Sequence, residues 1–190
     1  MKTIKKTFKV FNFKELNEEV KEKVLEKFRF VNVESDDWYE FLIEDFKEKL
    51  NKIGIDFKNV YFSLDRDNYI YLDKPRITDE EKFILSIYTD ESQKNQKILK
   101  ELEKNKEDEE EEDYSLSIET QYYGGGTAKN YISCNTDKIN EEEYTEYLDN
   151  ILNDFKKQLS IYYEELTEDK AIIDFIEGND FEFLENGEQF

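Results

Sequence analysis

An α+β fold, an antiparallel sheet of hairpins covered by several helices, is the class that this 190-residue sequence predicts. Three observations carry it. Two pairs of short alternating segments are each joined by a polar or glycine-rich turn, the pattern of antiparallel hairpins. Longer segments repeat their apolar residues at intervals of three and four, the pattern of helices with one buried face. The two kinds of segment do not alternate in the regular order of a parallel βαβ sheet. The length fits one domain over residues 1–190, with an acidic mobile connector at about 105–113.

From the N-terminus, Thr7 to Phe13 mixes β-branched and aromatic residues with lysine and reads as a strand. Asn17 is placed to cap a helix whose first turn holds Glu18 and Glu19, at the positive end of the helix dipole, and whose stripe is Val20, Val24, Leu25 and Phe28. Ser35 opens a second helix, with Trp38, Phe41, Leu42, Phe46 and Leu50 at helical spacing and Gly54 placed to end it. Val60 to Leu64 and Tyr69 to Leu72 form a hairpin about the polar turn from Asp65 to Asn68. Pro75 breaks the chain, and Thr78 with Glu81 makes a capping box for a short helix through Tyr88.

A helix from about Glu91 to Lys104 follows, with Ile98, Leu99 and Leu102 inward. Tyr114 to Tyr122 and Lys129 to Cys134 alternate as a second hairpin around Gly124, Gly125 and Gly126. The long C-terminal helix carries Tyr144, Leu148, Ile151, Phe155, Leu159, Tyr162 and Leu166 over about six turns, with Glu142, Glu146, Asp149 and Asn153 on the opposite face. Thr167 caps a last short helix containing Ile172, Ile173 and Ile176 and stopped at Gly178, and Phe181 and Phe183 form a final strand. Trp38, Phe41, Phe46, Leu148, Ile151 and Phe155 are expected to share one core where the second helix and the long helix cover the sheet.

Apolar residues make up only 37% of the chain, but fifteen Phe and thirteen Tyr supply large buried areas per residue, so a core forms despite the charge. Cys134 stands alone, which excludes an internal disulfide and suits a reducing, cytoplasmic setting. No apolar run approaches the length of a membrane span, and the first residues lack the apolar centre of a signal peptide.

Forty-eight Asp and Glu against twenty-seven Lys and Arg give a net charge of -21, with no histidine. The first fourteen residues hold five lysines and no acid, so removing them leaves -26 on the remainder. Such a field repels nucleic acid and anionic membranes and attracts basic surfaces. It also serves plain solubility. Seven acids stand together at Glu107, Asp108, Glu109, Glu110, Glu111, Glu112 and Asp113. They repel one another as a continuing helix, and so read as a solvated connector. With the exposed row Glu142, Glu146 and Asp149, they are the candidate contacts for a basic protein partner.

Enzymatic patterns are weak. Without histidine there is no Ser-His-Asp or Cys-His pair and no His-containing metal site. Cys134 reads as a structural thiol with no activating base. Asp65, Asp67 and Tyr69 lack the glycine and closing glutamate of a calcium loop, and the three glycines lack the Lys-Ser or Lys-Thr of a phosphate loop. No catalytic residue, metal site or cofactor is expected.

The segments KVFNFKELNEEVKEKVLEKFRFVNVESDDWYEFLIEDFKEKLNKIGIDFKNVYFS and YYEELTEDKAIIDFIEGNDFEF together resemble an uncharacterised family of phages and mobile elements whose members are often described as antitoxins. The likeness lies in packing and capping residues and implies no active site. After Tyr61-Phe62-Ser63 this chain runs LDRDNYIYLDKPRI, where those relatives are glycine-rich. The resemblance implies a small phage-type protein, a class in which acidic inhibitors of host nucleases, anti-CRISPR proteins among them, are frequent. Charge and resemblance together lead to an expected inhibitor that binds a basic nucleic-acid-handling protein in the host cytoplasm, by nucleic-acid mimicry. The alternatives are an antitoxin that neutralises a basic toxin and a non-catalytic structural or regulatory phage factor.

Overall fold

The computed structural model describes residues 6–65, 69–87, 100, 115–135 and 139–190. The class is α+β: five α-helices among the described residues and antiparallel strand pairs. The chain divides into two compact units, one built from its first forty residues with Ser160–Phe190, the other from Phe41–Leu159. The expected helix over 91–104 and the acidic run 107–113 lie outside the described residues.

In the first unit, β1 (Phe11–Asn12) pairs antiparallel with β8 (Glu182–Phe183). The strand expected from Thr7 is therefore only two residues long, because the chain bends at once into a 3-10 turn over Phe13–Glu15. The Asn12 N–H donates to Glu15 Oε2 at 2.8 Å, which holds that bend. Helix α1 (Glu18–Phe28) starts as expected, its Val20 N–H bonded to the Asn17 side chain at 3.0 Å. Phe13, Leu16, Val20 and Val24 pack with Phe183 and with Ile172 and Ile176 of the last helix, α5 (Asp169–Gly178).

The end of the long helix, α4 (Glu141–Thr167), belongs to this unit from Ser160 onward. Its last carbonyls have no intrahelical partner and are met by side chains. Asn32 Nδ2 donates to Leu166 O at 3.1 Å, and Arg29 Nη1 to Thr167 O at 3.2 Å and Asp169 Oδ1 at 2.9 Å. Thr167 is not the cap of α5. Its hydroxyl turns back to donate to Tyr163 O at 2.9 Å, as Thr commonly does inside a helix, and the cap position falls to Glu168.

Trp38 departs from the expected core. Asp36–Tyr39 forms a 3-10 helix with three residues per turn, so Trp38 is out of phase with Phe46 and Leu50 of α2 (Glu40–Lys52). It packs in the first unit against Tyr39, Tyr162 and Tyr163, with ring centroids 5.0, 6.2 and 5.7 Å away. Phe41 is 47% exposed and also leaves the expected core.

In the second unit, Gly54 ends α2 at φ +79° and is closely packed, since a Cβ there would collide with Asp79 O. Next comes β2 (Ile55–Asp56), which pairs with β5 (Arg76–Ile77), two strands too short for a sequence pattern to show. Thr78 does not cap α3 (Glu80–Ile87): its N–H and hydroxyl both donate to Gly54 O, at 2.7 and 3.1 Å. Asp79 takes the capping role instead, accepting from Lys82 N at 3.0 Å.

The two expected hairpins are present. In the first, β3 (Asn59–Phe62) pairs with β4 (Ile70–Asp73); in the second, β6 (Leu116–Tyr122) pairs with β7 (Ala128–Cys134). They do not merge into one hydrogen-bonded sheet. A side chain joins them: Asn130, 1% exposed, accepts from Leu72 N at 2.7 Å and donates to Leu72 O at 3.1 Å. A carboxamide has one acceptor and two N–H donors, so it reproduces a strand rung on the free edge of β4. In the core of this unit Phe46 and Phe155, both 2% exposed, stack with centroids 4.0 Å apart, and Leu148 is fully buried. Leu152 at 2% joins this stripe, whereas Ile151 is only half-buried.

Candidate acidic groove

The groove begins with the register of β6 and β7. Glu119 stands opposite Tyr131 and Gln121 opposite Lys129. The alternate positions Ile118, Asn130 and Ile132 are buried, so the Glu119–Lys129 face is the outer one. Beside it lies the start of α4. Two residues of strand rise by about 6.7 Å and four of helix by about 6 Å, so a pair four apart on a helix can serve alternate strand N–H groups. Thr145 Oγ1 accepts from Ile132 N at 2.9 Å and Glu141 Oε1 accepts from Cys134 N. The helix thereby satisfies the free edge of β7 with side chains.

This seating leaves an open groove of about 610 Å³ between the outer strand face and α4. Glu119, Glu141, Glu142, Glu146 and Asp149 bring five carboxylates to its lining, against the single ammonium of Lys129. Glu142 and Glu146 are exposed, and Asp149 is half-buried. Asp149 is already engaged: Lys129 Nζ lies 2.7 Å from its Oδ2 and 5.2 Å from the centre of the Tyr131 ring. The Asp149 hydrogen bond raises the Lys129 pKa, so this cation persists through neutral pH. The Tyr131 and Tyr123 hydroxyls are hydrogen-bonded at 2.6 Å, which raises the Tyr123 pKa.

The structure thus brings together three expected contact residues, Glu142, Glu146 and Asp149, and joins to them Glu119, Lys129, Tyr131 and Glu141, which charge counting along the sequence passes over. The polar alternation Ser117, Glu119, Gln121 in β6 is the signal that marks that face. The seven acids of 107–113 lie outside the described residues. Among the described residues no group of acidic or cysteine side chains is arranged to hold a metal ion. Cys134 is half-buried at the end of β7. Gly124–Gly126 forms the exposed hairpin tip, with Gly125 and Gly126 at φ +84°. No helix of the described chain is long and apolar enough to cross a membrane. No known family, curated protein or solved structure matches the chain.

Proposed function

We propose that this protein is a phage-type inhibitor that uses the acidic groove to bind a basic, nucleic-acid-handling protein, a nuclease or related effector of host defence, and that it performs no catalysis itself. The observation that supports this reading is the gathering of five carboxylates around one open groove with a single lysine, in a chain of net charge -21. Such a groove is attractive to lysine- and arginine-rich surfaces and repulsive to phosphates.

Spacing limits how far mimicry can go. Duplex DNA carries one charge per about 1.7 Å of axis. A row on α4 offers about one per 5.4 Å turn. Glu119 on the strand adds a second row, and the run from Glu107 to Asp113 is the natural third contributor.

The test compares wild-type protein with E142K/E146K as bait in a bacterial lysate. These two positions are chosen because Asp149 is committed to Lys129 and its reversal would disturb the fold. The expected result is capture of nucleic-acid-binding proteins by the wild type, release at about 0.5 M salt, where screening falls to a few ångströms, and loss of capture by the variant. Equal capture by both baits would reject the groove as the contact.

A further inference from the structure

On hairpin β3–β4 the rung Tyr61–Tyr71 turns its rings to the face away from Val60 and Leu72, which are buried at 8% and 0%. Tyr69 joins them, with ring centroids 5.9 Å from Tyr71, and Tyr61 lies 5.4 Å from Tyr71. Tyr122, at the end of β6, meets Tyr71 edge-on at 6.1 Å. Tyr71 is the anchor at 7% exposed, while Tyr61 and Tyr122 remain 46% and 67% exposed. Among the described residues, no lysine or arginine sits over any of these four rings.

We propose that this tyrosine face is a guanidinium-reading surface that receives arginine side chains of a basic partner. The inference rests on the partner being basic, as argued above, and adds a second contact surface and the kind of side chain it selects. A tyrosine ring presents a negative face to a cation, and its hydroxyl oxygen accepts an N–H. Guanidinium is planar and weakly hydrated, so it stacks on a ring while keeping hydrogen bonds, whereas an ammonium gives up more hydration for the same contact.

Charge complementarity names the occupant. The chain's net charge of -21 favours cations over anions as partners, and Asp73, two residues from Tyr71 on the same side of β4, adds a local carboxylate. The neighbouring hairpin shows the same chemistry within the chain, where Lys129 lies over Tyr131 and against Asp149. Stacked nucleobases are the competing occupant for exposed tyrosines. Phosphates accompany them, and this chain's charge repels phosphates. A second copy carries the same -21 and is repelled too.

The test measures fluorescence anisotropy of end-blocked hexa-arginine, hexa-lysine and an oligothymidine with wild type, Y61L/Y122L, Y61F/Y122F and E142Q/E146Q. Both tyrosines are exposed enough for leucine to be accommodated, and a thermal melt confirms that each variant is folded. The expected result is that hexa-arginine binds about three- to tenfold tighter than hexa-lysine. This preference disappears in Y61L/Y122L, returns in Y61F/Y122F and survives in E142Q/E146Q, which weakens both peptides alike. Equal affinity of the two peptides for wild type, or a preference that persists in Y61L/Y122L, overturns the arginine-reading face while leaving the acidic groove standing. Failure of both peptides to bind overturns the basic-partner reading and this inference with it. Binding of the oligothymidine that is lost in Y61L/Y122L assigns the face to bases instead.

Discussion

Asn130 is the residue on which the two hairpins depend. Its carboxamide meets both Leu72 N–H and Leu72 C=O, and its Nδ2 also donates to Thr120 Oγ1 at 3.0 Å. Truncation to Ala leaves the buried Leu72 N–H unpaired, at about 1–3 kcal/mol, and leaves Leu72 O with only the Thr120 hydroxyl at 3.4 Å. We expect N130A to lower unfolding free energy by about 2–4 kcal/mol in urea titration. N130D is more informative. Its carboxylate has no donor for Leu72 O, and burial raises its pKa above the unfolded value. The sign follows: protonated, the carboxyl can both accept and donate as Asn does, so the variant approaches wild type below the unfolded pKa and loses stability as pH rises. A deficit that is the same at pH 4 and pH 8 would contradict this.

Two tyrosines link stability to alkaline pH. Burial pushes the Tyr144 hydroxyl up to about 12, and burial with the Asp36 hydrogen bond does the same for Tyr39. Their neutral forms are favoured by the fold, so the stability they contribute is complete below the unfolded tyrosine pKa of about 10 and is lost as pH rises toward 12. Absorbance at the tyrosinate band should show these groups titrating late, together with loss of helical ellipticity. The stacked pair Phe46 and Phe155 gives the plainest core test: either change to Ala should cost about 3–5 kcal/mol, against under about 1 kcal/mol for Phe41. The helical spacing of the sequence places Phe46 and Phe155 in one core, but neither their stacking nor the role of Asn130 is written in it. A buried asparagine looks the same as a loop asparagine until the strand opposite it is known.

At the scale of elements, the seating of α4 on β7 follows from Thr145 and Glu141 matching alternate strand N–H groups. T145V keeps the shape of the side chain and removes the acceptor, leaving the Ile132 N–H buried. Destabilisation by about 1–3 kcal/mol, with faster hydrogen exchange at Ile132, is expected. The sequence made legible those elements that have a period: α1, the body of α2, both hairpins and α4. It did not reveal β2 and β5, because two residues carry no alternation. It placed two caps one residue off, since Thr78 and Asp79, like Thr167 and Glu168, are adjacent groups whose roles depend on which carbonyl lies near. It chose Ile151 where Leu152 is buried, because a stripe with steps of three or four fits either residue between Leu148 and Phe155. It assigned Trp38 to the wrong core because a 3-10 turn shifts helical phase without changing composition.

At the scale of the whole molecule, the governing quantity is the charge of -21 and its distribution. The sequence announced the acid excess and three residues of the groove. It did not announce that Glu119 on a strand would share the lining with Glu142 and Glu146 on a helix, which only the β6–β7 register and the helix seating decide. Glu142 and Glu146 are exposed like charges four apart, an arrangement that weakens a helix by about 0.2–0.5 kcal/mol. Glu142 also sits in the first turn of α4, where the helix dipole favours a carboxylate by about 0.3–1 kcal/mol, so the two effects oppose and E142Q/E146Q should shift the melting temperature only slightly. A marked fall would show that they serve the fold and not a partner.

The acidic groove is proposed to occupy the site where its partner holds nucleic acid, so the decisive measurement is competition. A captured partner, loaded with labelled duplex DNA at physiological salt, is titrated with this protein and with E142K/E146K, and the bound DNA is followed by anisotropy. Displacement of the DNA by wild type, with a strong loss of potency in the variant and at higher salt, is the expected result. A stable ternary complex that keeps its DNA, or displacement by both proteins equally, would contradict occupation of the nucleic-acid site by this groove.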